Sequence, residues 1–155
     1  MSWDRSRAAS VPVVTTYLIA TDSDELFRLL DAAIGGTATI ARVTSGQAVR
    51  ASVLELEPDL VVLDLQIGNM GGMATCMSIR LEEGAGRLPH IPVLMLLDRE
   101  ADLFLARRCE ADGWLVKPLD AFRLRKAATA LLAGGTWQEE GAEAPEGTAD
   151  AADAV

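Results

Sequence analysis

The sequence predicts an α/β domain: a doubly wound, five-stranded parallel sheet with right-handed crossovers. Three observations carry this expectation. Between residues 15 and 134, short apolar runs alternate five times with segments of helical period. Two of the runs, DLVVLD at 59–64 and IPVLMLL at 91–97, are apolar throughout rather than alternating, as in strands covered on both faces. The connections between the segments are short, which suits crossovers that pack back onto one sheet.

TYLIA (16–20) is the first strand, β-branched and aromatic. SDELFRLLDAAIG follows, with Leu26, Leu29, Leu30, Ala33 and Ile34 forming the stripe of an amphipathic helix. Ser23 or Asp24 can cap it, and Gly35-Gly36 ends it. ATIARV (38–43) is the second strand and SGQAVRASVLELE the second helix, stopped by Pro58. After DLVVLD comes a third helix near 71–82, with EEGAGRLPH as a loop. READLFLARRCEA is the fourth helix, GWLVK (113–117) the fifth strand, and LDAFRLRKAATALLA the last helix. Residues 1–14 read as a flexible arm, and residues 135–155, rich in Ala, Gly and Glu, as a disordered acidic tail.

Composition excludes several functions. The net charge of −9 is concentrated at the end of the chain. Glu139, Glu140, Glu143, Glu146, Asp150 and Asp153 lie there with no base, leaving 17 acids against 14 bases elsewhere. No basic patch or stripe points to nucleic acid. No apolar segment reaches the ~18 residues of a membrane span, and MSWDRSRAAS lacks the apolar stretch of a signal peptide, so a cytoplasmic protein is expected. Cys76 and Cys109 have neither CxxC spacing nor a nearby His, and read as reduced structural thiols. His90 reads as a plain loop residue, and Met70, Met73 and Met77 as core filling.

In a doubly wound sheet the ligand site lies at the carboxyl ends of the strands. There the sequence places Thr21-Asp22, Asp64, Leu97-Asp98 and Lys117-Pro118. Carboxylates gathered in one place repel unless a hard cation or a lysine neutralises them, and Mg²⁺ is the natural oxygen-liganded cation. Such a cluster can also be a structural ion-pair network, and Lys117-Pro118 alone can be a simple turn. GNMGG (68–72) lacks both GxGxxG spacing and a GK[ST] ending, so no nucleotide site is expected.

PDLVVLDLQIGNMGG resembles the central segment of receiver domains of two-component response regulators. IPVLML resembles their fourth strand, and EADGWLVKPLD their fifth, with its Lys-Pro as a cis peptide. The resemblance covers about residues 15–134 and implies the flavodoxin-like receiver fold. It implies Asp64 as phosphoacceptor, Asp22 as acidic metal ligand, Gln66 as donor of a main-chain carbonyl to Mg²⁺, and Lys117 as the phosphate-pairing lysine. Partners would be a sensor histidine kinase or phosphotransfer protein, and a downstream protein at the fourth helix, fifth strand and fifth helix. Arg107, Arg108, Arg123, Arg125 and Lys126 lie there, able to attract an acidic partner or the protein's own tail. Dimerisation stays open.

Three positions depart from the family pattern. Thr21 replaces the first of two acids, which removes a negative charge and should weaken metal binding. Leu97 replaces the switch Thr or Ser and has no donor for a phosphoryl group. Trp114 replaces the switch Tyr or Phe. Asp98 follows Leu97, where it either substitutes for the lost carboxylate or repels a phosphoryl group. The expected function is a stand-alone receiver, since 21 residues after 134 are too few for an output domain, phosphorylated at Asp64 and weakly switched. The alternative is a phosphorylation-independent pseudo-receiver acting as a constitutive interaction module. Enzymatic turnover is not expected: aspartate-nucleophile phosphatases carry an acid where Gln66 stands, and ATDSDEL makes a poor flavin-phosphate loop.

Overall fold

A computed structural model describes residues 14–139. Strands β1 (Thr16–Ala20), β2 (Thr39–Val43), β3 (Leu60–Asp64), β4 (Val93–Leu97), β5 (Gly113–Val116) and β6 (Trp137–Gln138) form one sheet. Its order is β2-β1-β3-β4-β5-β6, and every pairing is parallel. Helices α1 (Asp24–Leu30), α2 (Gln47–Leu56), α3 (Gly72–Gly84), α4 (Leu103–Arg108) and α5 (Ala121–Leu132) cover it. The turn after α1, Asp31–Gly35, is π-helical, and a 3₁₀ turn, Glu100–Asp102, leads into α4.

The five-strand expectation is corrected to six. Beyond residue 134, Trp137 supplies apolar surface to the core and Gly113 opposite it has no side chain to keep it away. The expected tail boundary therefore moves, and residues 140–155, like residues 1–13, lie outside the described chain.

Strands β3 and β4 are buried at all five residues each, as their unbroken apolar runs require. Two cores flank the sheet. Val49 and Val53 of α2, Cys76 and Ile79 of α3 and Ala106 of α4 fill one face. Leu30 of α1 and Leu124, Ala127 and Leu131 of α5 fill the other. Each fully buried Leu or Ile contributes about 1.5–3 kcal/mol.

Helix starts are set by local chemistry. The Ser23 hydroxyl accepts from the Leu26 amide at 3.1 Å, and Asp24 and Glu25 complement the amino end of α1. Asp120 caps α5 by accepting from the Arg123 amide at 2.9 Å. Ser45 Oγ accepts from the Ala48 amide at 3.3 Å, while the N-cap residue Gly46 has no side chain with which to cap α2. Its first amides, Gly46 and Gln47, instead donate to the carbonyls of Gly68 and Asn69 at 2.9 and 3.0 Å. The loop after β3 is thereby fastened to a helix end, with Asn69 and Met70 in left-handed conformations.

At the opposite rim, the amino ends of β4 and β5 meet around Arg80. Its guanidinium donates to Glu83 (2.7 Å), Asp112 (2.6 Å) and the carbonyls of Ile91 (3.1 Å) and Glu110 (2.9 Å). His90 is a loop residue, as expected, but not one without partners. It lies between Glu83 (3.2 Å) and Asp112 (2.8 Å), since α3 continues to Gly84 and turns Glu83 toward it. Met70 and Met77 are likewise half-exposed, and only Met73 packs against the core. The Cys76 and Cys109 thiols are buried and free, and the Cys76 thiol donates to the Cys109 carbonyl at 3.2 Å.

Candidate functional site

Strand β3 carries Asp64 to the carboxyl rim of the sheet, between β1 and β4, where the crossovers change direction. The side chain is buried, yet its carboxylate is fully partnered. Oδ1 accepts from Lys117 Nζ at 2.9 Å and from the Gln66 amide at 3.1 Å. Oδ2 accepts from the Thr21 hydroxyl at 2.8 Å. This is how an ionised group ends the most apolar stretch of the chain without the large cost of an unpaired buried charge.

Lys117 arrives from the end of β5, and its amide donates to the Leu97 carbonyl at 2.8 Å, locking it beside β4. The Lys117–Pro118 bond is cis, as the resemblance implies. Its ammonium binds a second carboxylate, Asp98 Oδ1, at 3.0 Å. Asp98 thus points into the site, and its Oδ2 is buried without a partner. Burial alone would lower the Lys117 pKa, but the hydrogen bonds and charges of Asp64 and Asp98 outweigh it and raise it above the ordinary lysine value. A raised lysine pKa stabilises the fold below the unfolded value of ~10.4 and loses that contribution as pH climbs through the higher folded value. Thermal unfolding should accordingly show this pair's contribution undiminished from pH 6 to 9 and declining above ~10.4, and Lys117→Met should flatten that alkaline decline.

Thr21 does more than delete a charge. It is fully buried, accepts from the Ser23 amide at 3.1 Å and spends its proton on Asp64. A neighbouring acid would have repelled Asp64; the hydroxyl instead donates to it and occupies one of its oxygens. Asp22 is exposed, and its carboxylate accepts from the Gly68 amide at 3.2 Å rather than meeting Asp64 directly. Gln66 is exposed as well.

The donors at this rim are all oxygens, which suits a hard divalent cation. Among the described residues, however, no three acidic, histidine or cysteine side chains group closely enough to hold a metal. A metal here would rest on Asp22, Asp64 and the Gln66 carbonyl, with the orphaned Asp98 Oδ2 as the extra acidic oxygen nearby.

Leu97 and Trp114 lie in the core rather than at the rim. Leu97 is fully buried in the core under α2, α3 and α4. Trp114 is buried in that core too. Its indole N–H donates to the Glu139 carbonyl at 3.0 Å, and the Arg107 guanidinium lies 5.6 Å from its ring. Of the other expected basic residues, Lys126 sits 5.0 Å over Phe122 and Arg125 reaches the Ala33 carbonyl at 3.5 Å. Arg123 binds Glu139, a pairing hinted at in the sequence only by a basic helix followed by an acidic segment.

The parallel sheet, its covering helices and the Asp64–Lys117 pair at its carboxyl rim are those of a receiver-type domain. The sequence profile described as the response regulator receiver domain matches residues 17–129, and the chain belongs to this family. Among curated relatives, the DNA-binding dual master transcriptional regulator RpaA of Synechocystis sp. is 33% identical over 95 residues, 60% of this chain and 38% of that protein. The DNA-binding response regulator MtrA of Mycolicibacterium smegmatis is 30% identical over 104 residues, 65% of this chain and 43% of that protein. The chain thus spans less than half the length of these relatives. Among solved structures, the chemotaxis response regulator CheY4 of Vibrio cholerae superposes with a TM-score of 0.67 at 19% identity, over 76% of this chain and 98% of that one. A LuxR-family two-component response regulator from Aurantimonas sp. SI85-9A1 gives a TM-score of 0.67 at 25% identity, over 81% and 89%.

Proposed function

We propose that this receiver accepts a phosphoryl group on Asp64 from a phosphohistidine of a sensor kinase or phosphotransfer protein, and acts through protein contacts with a muted conformational response. The observation that carries this reading is the 2.9 Å bond from Lys117 Nζ to Asp64 Oδ1 at the carboxyl rim of the sheet. A carboxylate oxygen of Asp64 attacks the phosphorus, the P–N bond breaks, and the imidazole leaves as the acyl phosphate forms. Lys117 neutralises charge on the transferred oxygens, and the Gln66 amide holds the carboxylate in place, so catalysis is chiefly positioning and electrostatics. Mg²⁺, held by Asp22, Asp64 and the Gln66 carbonyl, would supply further neutralisation of the phosphoryl oxygens. The chain is an acceptor in this reading, not a turnover enzyme, and works in the cytoplasm. Among the described residues no helix is long and apolar enough to cross a membrane.

The muted response follows from Leu97. A phosphoryl group shifts a two-state equilibrium only by what it binds differently in the two states, and Leu97 offers no hydroxyl to bind. A second reading, a pseudo-receiver that signals without phosphorylation, is favoured by one observation: Asp98 already occupies Lys117 at 3.0 Å. Incubation with a small phosphodonor and Mg²⁺ separates the two. Label on the wild type that disappears in Asp64→Asn, with only local amide shifts by NMR, is the expected result. An unlabelled wild type would leave the second reading, and extensive shifts across α4 and β5 would refute the muted switch.

A further inference from the structure

The outer edge of β5 is covered by residues 137–139 of the same chain. Gly113 opens the edge: a Cβ there would stand 2.9 Å from the Trp137 carbonyl oxygen and 3.2 Å from the Trp137 Cβ. The ladder itself is short, pairing only Gly113 with Trp137 and Trp114 with Gln138. Most of the anchoring falls on Glu139. Its main-chain carbonyl accepts from the Trp114 indole at 3.0 Å, and its carboxylate accepts from the Val116 amide at 3.0 Å and from Arg123 Nε at 2.8 Å. Arg123 Nη2 bonds the same carboxylate, making the pairing two-pronged.

The receptor half is preorganised. Arg123 also donates to the carbonyls of Pro118 at 2.9 Å and Val116 at 3.0 Å, which fixes the guanidinium plane against the end of β5. The Val116 amide would otherwise be an unpaired edge donor. A two-residue ladder held largely by one carboxylate is readily exchanged for another strand offering the same groups.

We propose that the β5 edge, with Val116, Trp114 and Arg123, is a strand-addition site for an extended acidic peptide, occupied in cis by residues 137–139 and therefore closed to a partner until that segment is displaced. The occupant in trans is a protein segment of the same chemistry, extended and carrying a carboxylate at the Glu139 position. Burial opposes the charge on Glu139, but the Arg123 and Val116 hydrogen bonds outweigh it and hold its carboxyl below the ordinary glutamate range. Cis occupancy accordingly persists above ~4.3 and weakens as pH falls through the lowered value, where Glu139 protonates.

A fluorescently tagged, end-blocked peptide reproducing residues 135–139 tests this by polarisation against the full chain, wild type and Glu139→Lys. The lysine repels Arg123 and should free the edge. The peptide should bind Glu139→Lys at least about tenfold more tightly than wild type. It should lose that binding in the Glu139→Lys/Arg123→Ala double variant and in a peptide with Gln at the Glu139 position. Circular dichroism checks that each variant is folded, and Gly113→Ala, which crowds the edge without touching the charges, should also lose binding. Equal binding to wild type and Glu139→Lys would show that the segment closes nothing. Absence of binding to a folded Glu139→Lys chain, or binding that survives Arg123→Ala, would overturn the site.

Discussion

Gly46→Ala should destabilise the domain by about 3 kcal/mol or more, a large share of the ~5–15 kcal/mol that holds a domain of this size. A Cβ at this position would lie 1.8 Å from the Met70 carbonyl oxygen, 2.5 Å from Thr75 Oγ1 and 2.8 Å from the Asn69 carbonyl oxygen. Two of those three atoms are main chain, so a rotamer change cannot relieve the clash. Either α2 must back away from the sheet, opening the contact of Val49 and Val53 with the core, or the loop after β3 must move. Both choices also break the amide bonds from Gly46 and Gln47 to Gly68 and Asn69. A melting temperature lower by roughly 10 °C is expected by circular dichroism. Gly84→Ala is the control: no atom lies within 4 Å of its Cβ and it ends a helix, so stability should hold or rise by up to ~1 kcal/mol. A melting point for Gly46→Ala within a degree or two of wild type would mean that the loop gives way at no cost.

Asp98→Ala should tighten beryllofluoride, a phosphoryl mimic, by about tenfold to a hundredfold. Lys117 Nζ lies 2.9 Å from Asp64 Oδ1 and 3.0 Å from Asp98 Oδ1, so those two oxygens are no more than roughly 6 Å apart. At that separation and an effective dielectric near 20, one pair of like charges costs about 3 kcal/mol, part of which Lys117 itself screens. A phosphoryl group added to Asp64 meets that repulsion and competes with Asp98 for the only ammonium bonded to the acceptor. Removing Asp98 lifts the repulsion and frees Lys117. The opposite outcome is equally informative: if Asp98 stands in for the acid that Thr21 replaces, through its unpartnered Oδ2, then Asp98→Ala should weaken both Mg²⁺ and beryllofluoride. Titration calorimetry reads the sign directly.

Much of this molecule was legible in the sequence because its signals are periodic or positional. Unbroken apolar runs at 59–64 and 91–97 gave buried parallel strands, and the fold rule for ligand sites then selected Asp64 and Lys117 as neighbours. What escaped depended on direction or on contacts between distant segments. Whether Asp98 turns in or out is a matter of where β4 ends, and no residue pattern encodes it. Thr21 read as a missing charge, and its hydrogen bond to Asp64 arises only because β1 and β3 pair side by side across 43 residues of sequence. Strand β6 is two residues long inside an Ala, Gly and Glu-rich stretch, too short for any periodic signal. At the amino end of α2 the N-cap residue Gly46 has no side chain, and beyond the local Ser45 bond the partners are carbonyls some twenty residues on.

Arg80 has a mechanical consequence. One guanidinium ties the end of α3 to Ile91 just before β4 and to Glu110 and Asp112 just before β5, and Asp112 returns a bond to the Val93 amide at 2.8 Å. The root of the sheet is thereby clamped, whereas the opposite ends of the same two strands meet across the Lys117–Asp98 contact. With that end cross-linked, relative movement of β4 and β5 is expected to concentrate at their other end. A perturbation at Asp64 is therefore expected to tilt the strand tips about the Arg80 base, seen as amide shifts at the Asp98 and Lys117 ends of β4 and β5 with none near Arg80.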